Sequence, residues 1–233
     1  MRDFEVRRMF ETIAGGYDMQ NSVLSLGIDM LWRRELARRI PGERSVLVAD
    51  IAVGTAEVAM EIARRRPRAS VLGLDFTPAM LEVGLEKLRK QRLDGRVRLA
   101  AGDARRLPLP DCCADVVTIS FGIRNVQERA QALAEFRRVL KPGGKLLVME
   151  FSLPDNPLVR ALYRLYFDYV LPPVGNLLSR TDYAYSYLME SVHAFPGPED
   201  FSREIRRAGF AAVTQTPLSF GIARIHEGTK QSW

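Results

Sequence analysis

The amino-acid sequence predicts an α/β fold in which helices cover both faces of a mainly parallel sheet. Four short runs, at 45–51, 70–75, 115–120 and 145–151, are apolar at consecutive positions, as is typical of strands buried on both faces. Amphipathic helical patterns separate these runs, and such alternation gives right-handed crossovers and a doubly wound sheet. Because the chain has 233 residues and no internal repeat, we expect one domain, 1–233.

Residues 1–42 precede the alternation and are predicted to form an N-terminal helical cap. Apolar side chains recur at helical spacing over 6–17 and again over 28–40. Residues 45–151 are the predicted ligand-binding core, in which a weaker alternating run at 96–100 gives a fifth strand.

The segment 156–197 is predicted to be a helical insertion. Asn156 offers a helix cap, and Pro157 suits the first turn. An aromatic-rich stripe then follows at Leu158, Leu162, Leu165, Tyr166 and Tyr169. The last region, 198–233, is predicted to hold a helix that Gly209 ends and two strands, AAVTQT and FGIARIH.

The composition is that of a globular protein with a basic excess. No stretch approaches the ~18 apolar residues of a membrane span. The charged N-terminus lacks a signal-peptide core, so we expect a cytoplasmic protein. The net charge is +6, but the basic residues are scattered arginines, so we expect no nucleic-acid partner. Cys112 and Cys113 are adjacent without metal-ligand spacing, so we expect free thiols and no metal site.

Acidic and small polar residues recur where the predicted strands end. In an open parallel sheet, ligands bind beyond these ends, near the point where strand order reverses. Asp75 lies 20 residues after Thr55, a spacing suited to an acid that accepts hydrogen bonds from ribose hydroxyls. Asp103 could accept from an adenine amino group. The set favours a nucleoside site, although each acid alone is also typical of a helix cap.

The loop after the first run reads DIAVGTAE at 50–57. A dinucleotide needs several glycines in such a loop, because its pyrophosphate requires close approach of the backbone. Val53 and Ala56 occupy two of those positions, which argues against NAD and FAD. S-adenosylmethionine carries no phosphate, so this loop favours S-adenosylmethionine as the cofactor.

Several motifs together resemble one known family. DIAVGTAEVAM, GLDFTPAML, AGDARRLPLPD, FGIRNV and DYAYSYLMESVHAFP look like the ubiquinone/menaquinone biosynthesis C-methyltransferase family, and the resemblance covers essentially the whole chain. It implies a class I S-adenosylmethionine-dependent methyltransferase, with a Rossmann-like, seven-stranded sheet whose last strand is antiparallel. It also implies methyl transfer to a ring carbon of a polyprenylated quinol, most like the demethylmenaquinol reaction.

The resemblance also implies roles for individual residues. Cofactor contacts are expected at Thr55, Asp75, Asp103, Ala104 and Ser120, beside the retained Gly54. Tyr17 and Asp18 lie in the matching N-terminal segment and are expected to close over the methionine end.

Arg124 and Asn125 of FGIRNV are the candidate catalytic residues, because they follow the fourth run, where an oxygen of the acceptor could lie. Methyl transfer to carbon depends on positioning an electron-rich ring. Arginine keeps its proton, so Arg124 is expected to stabilise a phenolate or relay through water, and Asn125 to orient the acceptor. The alternative is that Arg124 pairs with an acid and shapes a loop.

The family's loop usually reads Gly-Gly-Thr-Gly-Asp, and this chain has Val53 and Ala56 in place of two of those glycines. This altered loop and the aromatic-rich stripe each allow more than one interpretation. If position 53 or 56 needs positive φ, the β-branched Val53 would be the costlier replacement for glycine. The altered loop also fits an enzyme that uses the cofactor as an amino donor, or a non-catalytic member of a quinone-biosynthesis assembly. The stripe at 158–169 is a candidate groove for the isoprenoid tail and for peripheral membrane contact. Benzoquinol or naphthoquinol as acceptor, tail length and a homodimeric state are undecided.

Overall fold

The computed structural model describes residues 3–25, 27–165 and 183–231. Within these ranges the chain forms seven strands: β1 (Val46–Ile51), β2 (Ala69–Asp75), β3 (Val97–Ala101), β4 (Ala114–Ser120), β5 (Leu140–Phe151), β6 (Phe210–Leu218) and β7 (Ala223–Lys230). They make one sheet with the order β3-β2-β1-β4-β5-β7-β6. β7 runs antiparallel to both of its neighbours, and β1 to β5 pair in parallel.

This sheet confirms the predicted doubly wound α/β fold. The runs predicted for β1 to β4 agree with the observed strands to within one residue at each end. β5 begins earlier than predicted, at Leu140, with a register irregularity before Lys145. The strand predicted at 220–226 is shifted, because Phe220 and Gly221 adopt φ of 60° and 89° in a 3₁₀ turn that precedes β7. Extended strands do not accommodate such angles.

Nine helices lie in the described part of the chain. They are α1 (Asp3–Ile13), α2 (Tyr17–Leu24), α3 (Asp29–Arg38), α4 (Glu57–Arg65), α5 (Pro78–Lys90), α6 (Arg129–Val139), α7 (Pro157–Leu165), α8 (Tyr183–Ala194) and α9 (Pro198–Arg207). Successive strand residues face opposite sides of a sheet, so each strand supplies two cores. Val116 packs in an apolar cluster with residues of α3 and α4, whereas Val117 packs in another with residues of α6 and α9.

The helical pattern noted over 6–17 is interrupted near its end. A 3₁₀ turn, Ala14–Gly16, separates α1 from α2. Two consecutive glycines, at 15 and 16, explain the break, since glycine is a poor helix former. Tyr17 consequently starts a second helix, and its ring makes an edge contact with Phe10, at 6.0 Å between ring centroids.

The predicted cap of the insertion is confirmed. Asn156 Oδ1 accepts hydrogen bonds from the backbone N–H of Leu158 at 2.9 Å and of Val159 at 3.2 Å, and Pro157 opens α7. Leu158, Leu162 and Leu165 are 70%, 59% and 56% exposed. Tyr166 and Tyr169 of the predicted stripe lie outside the described residues.

Candidate cofactor and active site

A cavity opens beyond the carboxyl ends of β1 to β4, where the strand order reverses. This is the place where open α/β sheets bind ligands. Six of the seven residues predicted to contact the cofactor line it, together with one of the two predicted catalytic residues. They are Tyr17, Gly54, Asp75, Asp103, Ala104, Ser120 and Asn125. The structure brings these residues together at one cavity, whereas Thr55 and Arg124 are not among the lining residues.

The loop between β1 and α4 makes its turn with left-handed residues at alternate positions. Ala52, Gly54 and Ala56 have φ of 51°, 55° and 67°, and Val53 is not left-handed. A left-handed conformation costs an alanine roughly 1–2 kcal/mol. The backbone strain therefore falls on Ala52 and Ala56, and the branched side chain of Val53 adds none.

The side chains of Val53 and Ala56 face the core. Val53 is 7% exposed, and a Cβ added to Gly73 of β2 would lie 2.7 Å from Val53 Cγ2. Ala56 is fully buried, and its Cβ would lie 3.4 Å from a Cβ added to Gly84 of α5. Neither residue is among those that line the cavity. The two departures from the family's loop therefore change core packing and not the cavity wall.

Asp75 joins the ends of β1 and β2 at the cavity wall. Its Oδ2 accepts the backbone N–H of Gly54 at 2.8 Å, and its Oδ1 accepts that of Thr77 at 2.9 Å. Burial raises the pKa of Asp75, and these backbone hydrogen bonds oppose the rise. A carboxylate has about four lone-pair sites, so Asp75 can still accept hydrogen bonds from a ribose.

Asp103 is held by an arginine of its own loop. Arg105 donates to both carboxylate oxygens, at 3.0 Å from Nε to Oδ1 and 2.7 Å from Nη2 to Oδ2. Arg105 also donates to Glu128 at 2.7 Å. The hydrogen bond from Arg105 lowers the pKa of Asp103, so the carboxylate is ionised at neutral pH and stays an acceptor.

Ser120, at the end of β4, carries a buried polar atom on the cavity wall. Its Oγ has no hydrogen-bond partner among the described residues. Since buried hydroxyls are nearly always paired, this hydroxyl is available to a ligand that enters the cavity. The hydroxyl of Ser120, the carboxylate of Asp75 and the apolar surface of Met80 and Ala104 fit an adenosyl group.

Thr55 does not line the cavity, but its side chain contacts α2 of the N-terminal segment. Its Oγ1 donates to Asp18 Oδ1 at 2.5 Å, and Asp18 Oδ2 pairs with Lys87 Nζ of α5 at 2.8 Å. Lys87 also pairs with Glu57 of α4. These contacts fix α2 against the loop, so that Tyr17, next to Asp18, lines the cavity.

The two predicted catalytic residues lie in a 3₁₀ turn, Ile123–Asn125, but face different ways. Asn125 lines the cavity. Arg124 is buried in an ion pair with Glu150 of β5, at 2.9 Å from Nη1 to Oε1, and its Nη1 also donates to the carbonyl of Phe121. This is the geometry of the alternative in which Arg124 pairs with an acid. Burial raises the pKa of Glu150, and the charge of Arg124 opposes the rise.

Helix α8 holds the same turn from the other side. Ser191 Oγ accepts from Arg124 Nε at 3.3 Å, and Tyr187 donates its hydroxyl to Asn125 Oδ1 at 2.9 Å. FGIRNV and DYAYSYLMESVHAFP, two of the motifs that carry the family resemblance, are therefore in contact with each other.

Sequence reasoning did not assign Arg105, Glu150 or Tyr187 a part in the site. In the sequence Glu150 is only an acid at a strand end, and nothing local connects it with Arg124, 26 positions away. The signal for Tyr187 was present, since it lies in a motif that the resemblance singles out.

The strand order, the antiparallel β7 and the strand-end cavity together define the class I, Rossmann-like fold of S-adenosylmethionine-dependent methyltransferases. Of the solved structures with this fold, the S-adenosylmethionine-dependent methyltransferase SibL superimposes with a TM-score of 0.65, covering 87% of this chain and 55% of that one at 23% identity.

The chain belongs to the ubiE/COQ5 methyltransferase family, whose sequence model matches residues 1–230. It is 45% identical to the ubiquinone/menaquinone biosynthesis C-methyltransferase UbiE of Citrifermentans bemidjiense, over 97% of this chain and 96% of that one. It is 44% identical to the demethylmenaquinone methyltransferase of Deinococcus radiodurans, over 97% of this chain and 92% of that one.

The described residues contain neither a helix suited to span a membrane nor a cluster suited to hold a metal ion. None of the helices there combines the length and apolar character needed to cross a membrane. Within the same ranges, no three His, Cys, Asp or Glu side chains are grouped so that they could hold a metal ion.

Proposed function

We propose that the protein transfers a methyl group from S-adenosylmethionine to a ring carbon of a polyprenylated quinol, converting a 2-demethylmenaquinol to a menaquinol. The benzoquinol counterpart is a second acceptor of the same chemistry. Membership of the family and the names of the two relatives support this reaction.

The observation that carries the proposal is the cavity at the carboxyl ends of β1 to β4, with the Ser120 hydroxyl, which has no partner in the described part of the chain, on its wall. In this proposal Asp75 accepts from the ribose, Asp103 and Ala104 contact the adenine, and Ser120 and Gly54 complete the pocket. Tyr17 covers the methionine end, and Thr55 acts through Asp18, which anchors the helix that carries Tyr17.

Bound S-adenosylmethionine supplies an electrophilic methyl group on a sulfonium. The residues of the chain then have to position the acceptor ring and exclude water, because a displacement at carbon depends on alignment. Asn125 is at the cavity and can hold an oxygen of the acceptor. Arg124 serves the acceptor indirectly, because its contacts with Glu150 and the carbonyl of Phe121 fix the turn that carries Asn125.

The two rival functions differ in what the protein makes. The altered loop was the observation that suggested an amino-donor role of the cofactor. Val53 and Ala56 face the core, so the loop does not support that role. A non-catalytic assembly member has no need for the acids and the hydroxyl that converge on the cavity.

The experiment is incubation of the purified protein with methyl-labelled S-adenosylmethionine and each demethylated quinol, followed by mass spectrometry. We expect the product to gain the mass of one methyl group at carbon, with the naphthoquinol as the better acceptor. If the protein methylates neither quinol, the proposal is wrong.

The long isoprenoid tail calls for an apolar path, and α7 is our candidate for it. Leu158, Leu162 and Leu165 are exposed and lie about one helical turn apart on α7. The chain as a whole carries a net charge of +6. We expect this face of α7 to contact the tail or an anionic membrane surface. Sedimentation with anionic vesicles tests it, because replacing all three leucines by serine should abolish binding that the unchanged protein shows.

A further inference from the structure

The side chain of Asn125 has one end engaged and one end available. Its Oδ1 accepts the hydroxyl proton of Tyr187 at 2.9 Å. Throughout residues 3–25, 27–165 and 183–231, the carboxamide makes no other hydrogen bond in the structure. A carboxamide has one oxygen acceptor and one amino group with two donors, so the amino group is the end left for a ligand in the cavity.

A second observation points to the same element. Tyr187 and Ser191 are four residues apart on α8, so their side chains lie on one helical face. That face contacts two successive residues of the turn, since Tyr187 bonds Asn125 and Ser191 bonds Arg124. Below them, the carboxylate of Glu150 accepts from Arg124 Nη1 at 2.9 Å and from the backbone N–H of Phe151 at 2.9 Å. The turn is therefore held from both sides, and Tyr187 is the contact that sets the carboxamide.

We infer that Tyr187 is a positioning residue, which holds the Asn125 carboxamide with its amino group as a hydrogen-bond donor to the hydroxyl oxygen of the quinol acceptor. This assignment rests on the proposed function. It makes Asn125 the residue that touches the acceptor, and it extends the site to a helix of the insertion.

The donor has a chemical consequence for the acceptor. A hydrogen bond to the charged form of an acid favours that form, so a donor at the phenolate oxygen lowers the pKa of the bound quinol hydroxyl. A phenolate is a stronger carbon nucleophile than a phenol at the ring position. When the new carbon–carbon bond forms, the bond from sulfur to the methyl group breaks with its electron pair left on sulfur. The ring then loses the proton from that carbon to solvent and becomes aromatic again.

The test is a double-mutant cycle on the full chain with Tyr187→Phe, Asn125→Ala and the double variant. We expect Tyr187→Phe to lower kcat about 10-fold, and Asn125→Ala on the order of 100-fold. If Tyr187 acts through Asn125, the double variant should match Asn125→Ala to within about 2-fold. The rising limb of kcat against pH, which follows ionisation of the bound quinol hydroxyl, should also move to higher pH in Tyr187→Phe, because the acceptor loses acidity. A merely structural role would leave that limb in place.

A control cycle pairs Tyr187→Phe with Ser120→Ala, whose hydroxyl is on the cavity wall but does not contact Tyr187. In this control cycle, the fold-losses of activity in the two single variants should multiply in the double variant. For Tyr187→Phe, the melting temperature measured by circular dichroism should stay within a few degrees of that of the unchanged protein. Its cofactor affinity, measured by calorimetry, should stay within about 2-fold.

Two results would overturn the inference in an active enzyme: losses that multiply in the Tyr187 and Asn125 cycle, or a pH profile that does not move. Absence of turnover in the unchanged protein is a different result. It would refute the proposed function, and the positioning role with it.

Discussion

The packing of Val53 against Gly73 can be measured directly, because each residue limits what the other can be. Val53→Ala removes two buried methyl groups, which costs about 2–3 kcal/mol once the cavity left behind is included. Gly73→Ala alone would bring a new Cβ to 2.7 Å from Val53 Cγ2 and 2.6 Å from Leu99 Cδ2. Such overpacking costs about 1–3 kcal/mol.

The double variant relieves the contact with Val53 and fills part of the cavity. Only the end of the flexible Leu99 side chain then has to shift. We expect the double variant to be more stable than the sum of the single changes by about 1–2 kcal/mol. Urea unfolding followed by circular dichroism measures the free energies of unfolding.

Additive effects, within about 0.5 kcal/mol, would refute the packing that we describe. Ala56→Gly is the matched control in the same loop. Relief of the left-handed strain is offset by lost burial and by backbone entropy, so its stability should stay within about 1 kcal/mol. Because neither side chain lines the cavity, S-adenosylmethionine affinity should change less than about 3-fold in Val53→Ala. A loss above 10-fold would contradict the core-facing assignment.

Three further outcomes follow from the site and from Asp50 of β1, which is buried and accepts a hydrogen bond from the Thr118 hydroxyl at 2.6 Å. Burial raises the pKa of Asp50 from 3.8 to about 7, so the ionised carboxylate destabilises the folded protein. This destabilisation is absent below pH 4 and grows as the pH rises to 7. Asp50→Asn should therefore gain stability relative to the unchanged protein by up to about 4 kcal/mol between pH 4 and 8, measured by urea unfolding at each pH; parallel pH curves would refute this. Ser120→Ala should weaken S-adenosylmethionine binding about 2–10-fold in calorimetry without lowering the melting temperature, and unchanged affinity would mean that its hydroxyl does not meet the cofactor. Asp18→Asn removes the charge that Lys87 pairs with, so limited proteolysis should cut α1 and α2 faster and cofactor affinity should fall about 3-fold; a cleavage pattern like that of the unchanged protein would exclude an anchoring role.

The sheet could be predicted from sequence because its signal is local. A strand buried on both faces must be apolar at consecutive positions, and β1, β2 and β4 show this plainly. The cavity was predictable for a related reason: parallel strands bring their carboxyl ends to one edge, so Asp75, Asp103 and Ser120 had to be neighbours.

Contacts across long stretches of chain were not predictable in the same way. Thr55 meets Asp18 across 37 positions, and Arg124 meets Ser191 across 67. Periodicity gives the face of an element but not the element that it packs against. Whether the Val53 side chain faces the core or the cavity likewise depends on backbone angles, which residue type alone does not determine.

The side-chain hydrogen bonds between α8 and the Ile123–Asn125 turn also have a consequence for protein engineering. A chimera that takes its insertion from one family member and its core from another would separate two motifs that bond side chain to side chain. Exchanging acceptor preference between relatives should therefore require both segments to be transplanted as one unit, even though 57 residues of chain lie between Asn125 and the start of α8 at Tyr183.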